Sequence, residues 1–419
     1  MPVAPIFYGW WVALAFAVMI FLSTGIRFAV GPFLKPMVAD LGVDRASFSM
    51  VVSLSVLLYG AFMPVVGRLV ERFGVRAVTV LGTLILSGAT ATTGVITSLW
   101  QLTLVYGVLF GFGLAACGQV VAAAVIARWF SRRAATALSM LGAASMAGMS
   151  LLVPVAMWMV LHFGWRVTHF IAGAFMLVVL LPLSLWVVRD SPEAMGLAPD
   201  GHEAPRVERA GGLAQRTSVA DAVHTLSFWQ LAGSLFTCGF SMSLLASHGV
   251  PMLTDHGYAP MLASSALGLL GGSSFGCAFL LGWIADRRGR RPVLAWLYGT
   301  RALLFLGLFF VRDEPWALLA IVVIGGATMS GTLAMTSALT ADIFGRFSVG
   351  SVFGTIFLVH QMGGALGSWV GGALFEATDG YGAAFGVAAT LLLTACLLAL
   401  GINERSVRAR TLSPVAGGR

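Results

Sequence analysis

Charge is what this sequence has least of. Only 10% of its 419 residues are Asp, Glu, Lys or Arg, against roughly a quarter in an ordinary soluble domain, while 58% are hydrophobic and the mean hydropathy is +0.91. That excludes a water-soluble globular chain and a disordered one. Lysine is nearly absent: Lys35 stands alone, and the other 24 of 25 basic residues are arginines clustered in short segments between apolar runs. The net charge of +8 therefore reflects topology, and no nucleic-acid partner is implied. Cysteine is scarce, and Cys117, Cys238, Cys277 and Cys396 all fall inside apolar runs without a CxxC pair or a histidine at metal-ligand spacing. Buried free thiols are predicted, with no metal and no cofactor. No nucleophile and base arrangement and no ATP-binding loop are visible, so an enzyme is not expected. Gly107-x-x-x-Gly111-x-Gly113 lies in the middle of an apolar run with no preceding strand, which predicts close helix packing.

What is present is a series of apolar runs. A span needs about 20 mainly apolar residues to cross roughly 30 Å of hydrocarbon, because backbone amides there must be satisfied within a helix. Twelve runs qualify: 10–36, 46–66, 77–96, 101–127, 134–159, 167–188, 227–252, 260–284, 292–311, 315–339, 350–374 and 382–402. Met1–Tyr8 carries no positive charge, so the first run reads as the first helix of the mature protein and not as a signal peptide. Arginine flanks the cytoplasmic ends of spans, and 19 of the 25 basic residues fall in segments on one side of this arrangement. Arg45, Arg166 and Arg312 lie on the other, with Lys35 near an outer helix end. Both termini are expected in the cytoplasm, in a multi-pass protein of the cell inner membrane.

The longest polar stretch divides the spans six and six. The expected organisation is an N-terminal six-helix bundle over 1–188, a cytoplasmic linker over 189–226, a C-terminal bundle over 227–402 and a tail over 403–419. The halves repeat. Gly67-Arg-Leu-Val-Glu-Arg-Phe-Gly-Val-Arg76 is matched 215 residues later by Gly282-Trp-Ile-Ala-Asp-Arg-Arg-Gly-Arg-Arg291. Gly164 corresponds to Gly380 and Phe170 to Phe385 at nearly the same offset. Each long motif sets an acid, Glu71 or Asp286, one turn after a glycine, Gly67 or Gly282. Arginines (Arg72 and Arg76; Arg287 and Arg291) then surround a turn glycine, Gly74 or Gly289. Charge-assisted hydrogen bonds between such groups can hold one conformation and break in the other, so a gate latch is expected.

These paired loops resemble the signature loop of major facilitator superfamily transporters, and the likeness extends over essentially the whole chain. A narrower similarity, to the bacterial monocarboxylate-transporter and oxalate/formate-type group, rests on several shorter stretches. They are Tyr8-Gly9-Trp10-Trp11, Gly31-Pro-Phe-Leu-Lys-Pro36, Arg128-Trp-Phe-Ser-Arg-Arg133, Phe163-Gly-Trp-Arg166 and His248-Gly-Val-Pro251. The resemblance implies an all-α membrane protein of twelve transmembrane helices in two pseudo-symmetric six-helix bundles. The first, fourth, seventh and tenth helices would surround a midplane site, with alternating access by rocking.

Ionisable groups inside spans are costly and therefore mark function. All seventeen acids lie in loops, at span ends or in tails, whereas Arg27, His248, Arg301 and His360 lie within spans. With no intramembrane carboxylate to pair with, a cation facing the cavity would be completed by an anionic substrate. Arg27 is the expected anchor, since a guanidinium grips a carboxylate with two parallel hydrogen bonds. Snorkelling toward the outer interface is its alternative. Arg301, on a peripheral helix, is expected to cap backbone carbonyls of a neighbour. His248 and His360 are the proton-coupling candidates, being able to titrate near neutral pH. Tyr59, Gln119, Ser145, Ser274, Thr336 and Ser337 are further hydrogen-bonding candidates. The eukaryotic monocarboxylate carriers have an acid and an arginine in the eighth helix, where this chain has Ser274 and Ala278, so the usual carboxylate anchor is missing.

The expected function is a secondary transporter, acting as a monomer in the lipid bilayer, that moves a small organic anion with a proton. The alternative is a proton-antiport exporter of amphipathic or neutral compounds. Drug-antiporter relatives, however, usually carry an intramembrane acid and a Gly-Pro pair in the fifth helix, and here Pro154 stands alone. A membrane sensor or scaffold would be expected to add a soluble module, for which linker and tail are too short.

Overall fold

A computed structural model describes residues 7–130, 133–199, 217–312, 314–329, 331–345 and 349–403. Among these residues every element is helical. The helices of the first half are α1 (Tyr8–Phe28), α2 (Val30–Leu41), α3 (Arg45–Phe73), α4 (Val75–Thr93), α5 (Leu99–Leu102), α6 (Phe110–Ala116), α7 (Gln119–Trp129) and α8 (Ala134–Pro182). A π-helical segment, Thr103–Leu109, joins α5 to α6, and another, Leu183–Val187, continues α8. The short α9 (Val219–Val223) opens on a capping box between Ser218 and Asp221. The second half follows with α10 (Leu226–Asp255), α11 (Pro260–Arg288), α12 (Arg290–Phe310), α13 (Pro315–Gly326), α14 (Gly331–Phe344), α15 (Val349–Thr378) and α16 (Gly382–Gly401). Of the linker and tail expected at 189–226 and 403–419, residues 200–216 and 404–419 lie outside the described residues.

Eight helical stretches are long and apolar enough to cross a bilayer; one of them, Thr136–Val187, has 52 residues, more than twice a span. Gly164 (φ 77°, ψ 163°), a backbone geometry open to glycine, turns the chain there and separates two antiparallel rods. α10, α11 and α15 have span length but fall outside that set of eight.

Three of the expected unbroken runs are broken. The run 10–36 is interrupted at Ala29 (φ −78°, ψ 9°), two residues after Arg27. The run 101–127 breaks at Cys117 and Gly118, and 315–339 breaks between Gly326 and Gly331. Discontinuous helices are tolerated in lipid only where protein or a wet cavity satisfies the freed amides, so the breaks point toward the interior. The repeat is structural as well as sequential. Gly74 (φ 82°, ψ 161°) and Gly289 (φ 87°, ψ 152°) make the same turn between α3 and α4 and between α11 and α12. The second pair corresponds less well: beside Gly380 it is Asp379 that takes the positive φ (51°), and Phe170 is exposed where Phe385 is buried. Cys117 and Cys238 are buried free thiols as expected, but Cys277 and Cys396 are only half-buried.

Small residues let the helices approach. A Cβ on Gly363 would collide with the Phe236 carbonyl oxygen, and one on Gly367 with that of Phe240, so α10 and α15 touch through backbone. A Cβ on Gly113 would stand 2.7 Å from Leu86, which makes the glycine run of α6 a packing device. The halves meet along α3 with α15 and α8 with α11, where Gly60, Gly372 and Gly268 sit at contact.

Candidate substrate cavity

Between the halves lies a cavity of about 550 Å³. Its walls carry Thr24, Arg27 and Phe28 from α1, Ser55 and Tyr59 from α3, Tyr106 from the π-helical segment and Gln119 from the start of α7. α8 adds Ser145 and Met146, α10 adds Met242 and Ser243, α14 adds Met335, and α15 adds Phe357, His360 and Gln361. Among the described residues no carboxylate lines it, Arg27 is its only guanidinium and His360 its only imidazole.

Arg27 faces this cavity and does not snorkel. Its guanidinium lies 4.9 Å from the centre of the Tyr59 ring and 6.0 Å from that of Phe28, and no acid pairs with it among the described residues. Aromatic faces hold a cation without neutralising it. Its N–H donors remain available to an entering group.

Across the cavity, His360 stacks on Phe357 at 5.2 Å, and its Nδ1 donates to Gln361 Oε1 at 2.9 Å. Its Nε2 is buried and has no hydrogen-bond partner among the described residues. Gln361 packs its Cβ against Gly60, next to Tyr59, so the two halves bring Arg27, Tyr59, Gln361 and His360 into one region. Tyr106 and the lining methionines Met146, Met242 and Met335 are not legible in the sequence, because the π-helical register that turns Tyr106 inward and the rotation of each helix leave no mark in the hydrophobic pattern.

Other expected residues lie elsewhere. Ser274, Thr336 and Ser337 are not on the cavity wall: Ser274 is fully buried, and Thr336 donates to the Thr332 carbonyl at 2.8 Å. Their helices were placed correctly, but the face presented inward was not. His248 is also off the cavity. It is fully buried at the opposite end of the molecule from the arginine-rich loops, donating from Nε2 to the Ser368 carbonyl at 2.9 Å and accepting from the Tyr381 hydroxyl at 3.1 Å.

That end is clamped shut. Lys35 and Arg45 of the first half both reach Asp255 of the second, at 2.6 and 2.7 Å. The Arg45 amide donates to Glu376 at 2.9 Å, and its guanidinium bonds the Tyr381 hydroxyl while lying on the Phe375 ring. Burial by itself would raise the Asp255 carboxyl; hydrogen bonds from Arg45 and Lys35 outweigh it and hold the group below its ordinary value. At the arginine-rich end Glu71, Arg72 and Arg76 are exposed, and Glu71 has no ion-pair partner among the described residues. Arg287 lies over the Trp283 ring, while the side chain of Asp286 and the surroundings of Gly282 lie outside the described residues. The cavity opens toward the arginine-rich loops: its lining runs to Leu138 and Ser139 near the start of α8 and to Leu281 just before the second of those loops.

Arg301 is fully buried and donates to the carbonyls of Thr328 and Met329, at 2.6 and 3.3 Å, where the helix breaks between α13 and α14. The shorter motifs prove architectural. Tyr8 and Trp10 pack on Trp129 and Phe130 at 5.7 and 4.8 Å, and Trp165 and Arg166 both bind Asp40.

Two helical halves around a central cavity, closed at one end and open at the other, define a membrane transporter and not an enzyme. A sequence model of the Major Facilitator Superfamily matches residues 16–313 and 231–416, and the chain belongs to that family. It is 28% identical to an uncharacterised MFS-type transporter, YcxA, of Bacillus subtilis (strain 168), covering 88% of this chain and 87% of that protein. It is 28% identical to monocarboxylate transporter 13 of Bos taurus (92% and 87%) and 25% identical to a gallate transporter of Pseudomonas putida (87% and 86%). A solved bacterial homologue of the human lysosomal transporter Spinster, inward-facing and occupied, superposes with a TM-score of 0.74 at 15% identity, covering 96% and 98% of the two chains.

Proposed function

We propose that this protein is a secondary active transporter of an organic monoanion, working by alternating access and coupled to a proton. Arg27 is the anchor, and the observation that carries the reading is its position: an unpaired guanidinium on the wall of a central cavity that holds no carboxylate among the described residues. Tyr59, Gln119 and Ser145 supply hydrogen bonds around it, and Phe28, Met146 and Met335 offer apolar surface to the rest of the substrate. One cation in an apolar chamber of about 550 Å³ favours a carboxylate with an apolar body over a dianion. The relatives named as monocarboxylate and gallate transporters support the same class.

His360 is the residue through which a proton enters, and His248 belongs to the outer clamp. The chain crosses the membrane twelve times, counting the two rods of α8 and the span-length α10, α11 and α15 as spans. The arginine-rich loops and both termini lie in the cytoplasm of an inner-membrane protein, by the positive-inside rule, so the conformation described opens inward. The paired loops around Gly74 and Gly289 latch the opposite, outward-open state. The unit is a monomer.

The test is thermal stabilisation of the purified protein across a panel of aliphatic and aromatic carboxylates, followed by uptake of a stabilising labelled acid into proteoliposomes. Accumulation in an alkaline lumen, above that of protein-free vesicles and lost with Arg27→Gln, is the expected result. Stabilisation by neutral or cationic compounds alone would refute the anion reading, and uptake indifferent to the pH gradient would refute symport.

A further inference from the structure

Capping carbonyls does not account for the whole of Arg301. Its Nη1 lies 3.2 Å from the Cys238 sulfur on α10, and its Nε has no partner among the described residues. A guanidinium stays charged in any protein environment, and a buried charge without a counter-charge is strongly disfavoured in a membrane interior. The carbonyls of Thr328 and Met329 offer only partial charge. No carboxylate reaches Arg301 among the described residues, so the acidic group at hydrogen-bond distance is the Cys238 thiol. The same sulfur lies 3.2 Å from the Thr332 hydroxyl. A thiolate accepts from both donors and balances the cation, whereas a neutral thiol would set a weak dipole against a full charge.

We propose that Cys238 is held as a thiolate, ion-paired with Arg301, and is a proton-binding site of the second half, filled from the cavity through His360. His360 lines the cavity, and its backbone packs against Gly239, the residue after Cys238. The remaining titratable group near the sulfur is Tyr298, which shares α12 with Arg301. Each step balances. A proton passes from the cavity wall to the buried, unpartnered Nε2 of His360; that N–H bond then breaks as an S–H bond forms on Cys238, leaving a neutral imidazole and a neutral thiol. Arg301 loses its counter-charge when the site fills, and the positive charge this adds is felt next to Gln361 and the anion-binding wall. Coupling through this site rests on the symport reading above; the thiolate itself does not.

Infrared spectroscopy reads the thiolate directly. A variant keeping Cys238 as its only cysteine, with Cys117, Cys277 and Cys396 changed to alanine, is expected to show no S–H stretching band at neutral pH and to gain one on acidification. A band already present at neutral pH overturns the assignment. Coupling is read in proteoliposomes with a labelled acid that stabilises the protein. One coupled proton across a one-unit gradient is worth about tenfold in accumulation. Wild type should reach about that ratio. Cys238→Ser should fall to about unity while still exchanging labelled for unlabelled acid at equal pH, and Cys238→Asp should restore the gradient response. Tenfold accumulation by Cys238→Ser overturns the relay. Loss of accumulation in wild type as well removes the symport reading, and the infrared result then still decides the thiolate.

Discussion

The chemistry of this protein is concentrated in two arginines that meet their charge in different ways. Arg27 stands over the Tyr59 ring with its donors turned to a cavity, so truncating it removes interactions that an anion would complete. Charge-assisted hydrogen bonds are worth about 1.5–3 kcal/mol, so Arg27→Gln should weaken binding of a stabilising acid by roughly 10- to 100-fold with an unchanged apo melting temperature, measured by thermal shift. Arg301 faces protein and holds the carbonyls at a helix break. Arg301→Met should lower stability in detergent by about 1–3 kcal/mol, because it orphans buried acceptors, and a thermal melt of the apo protein reads this. Sequence pattern singled out both residues by the same criterion, charge inside an apolar run. It could not separate their roles, since the direction of each side chain is set by which neighbouring helix lies against it.

Helix ends carry the polar contacts between the halves. The clamp at Asp255 joins α2 and α3 to α10 with two cations on one carboxylate. Because its carboxyl is held below the ordinary value when the clamp is shut, the shut form binds fewer protons. The clamp's contribution is complete above the ordinary carboxylate range and is lost as the pH on that side falls through the lowered value. Acidifying that side should therefore raise the population open at the clamp, and Asp255→Asn should do so at neutral pH; spin-label distances between α3 and α10 across the clamp would report both. An unchanged distribution in Asp255→Asn would remove the clamp from the gating scheme. Packing gives a second prediction. Gly367 admits no side chain against the Phe240 carbonyl, so Gly367→Val should cost about 1–3 kcal/mol or prevent folding, read by expression and melting temperature. Hydropathy marked these helices well, yet it ran across the breaks at Ala29, Cys117 and Gly326 because small and apolar residues continue through them. Whether such a stretch bends depends on who satisfies its freed amides.

At the level of the whole molecule, the two halves repeat one plan, and the turn glycines Gly74 and Gly289 repeat it to within a few degrees of φ. With the clamp shut, Glu71 stands exposed at the open end, as a latch would in the state it does not hold. Glu71→Gln should therefore raise the share of molecules in the conformation described, measured by crosslinking across the arginine-rich end; an unchanged share would take the latch away. The sequence by itself determined the solvent this chain folds in, the approximate spans, the duplication and the short inventory of buried cations, because those depend on composition, spacing and the cost of charge in hydrocarbon. Tertiary structure alone decided which of those cations meets the cavity, that His248 bonds Tyr381 beside the Arg45 clamp while His360 lines the cavity, and that Ser274, Thr336 and Ser337 point elsewhere. Those outcomes turn on helix rotation and on contacts between residues more than a hundred positions apart, and side-chain type carries no record of either.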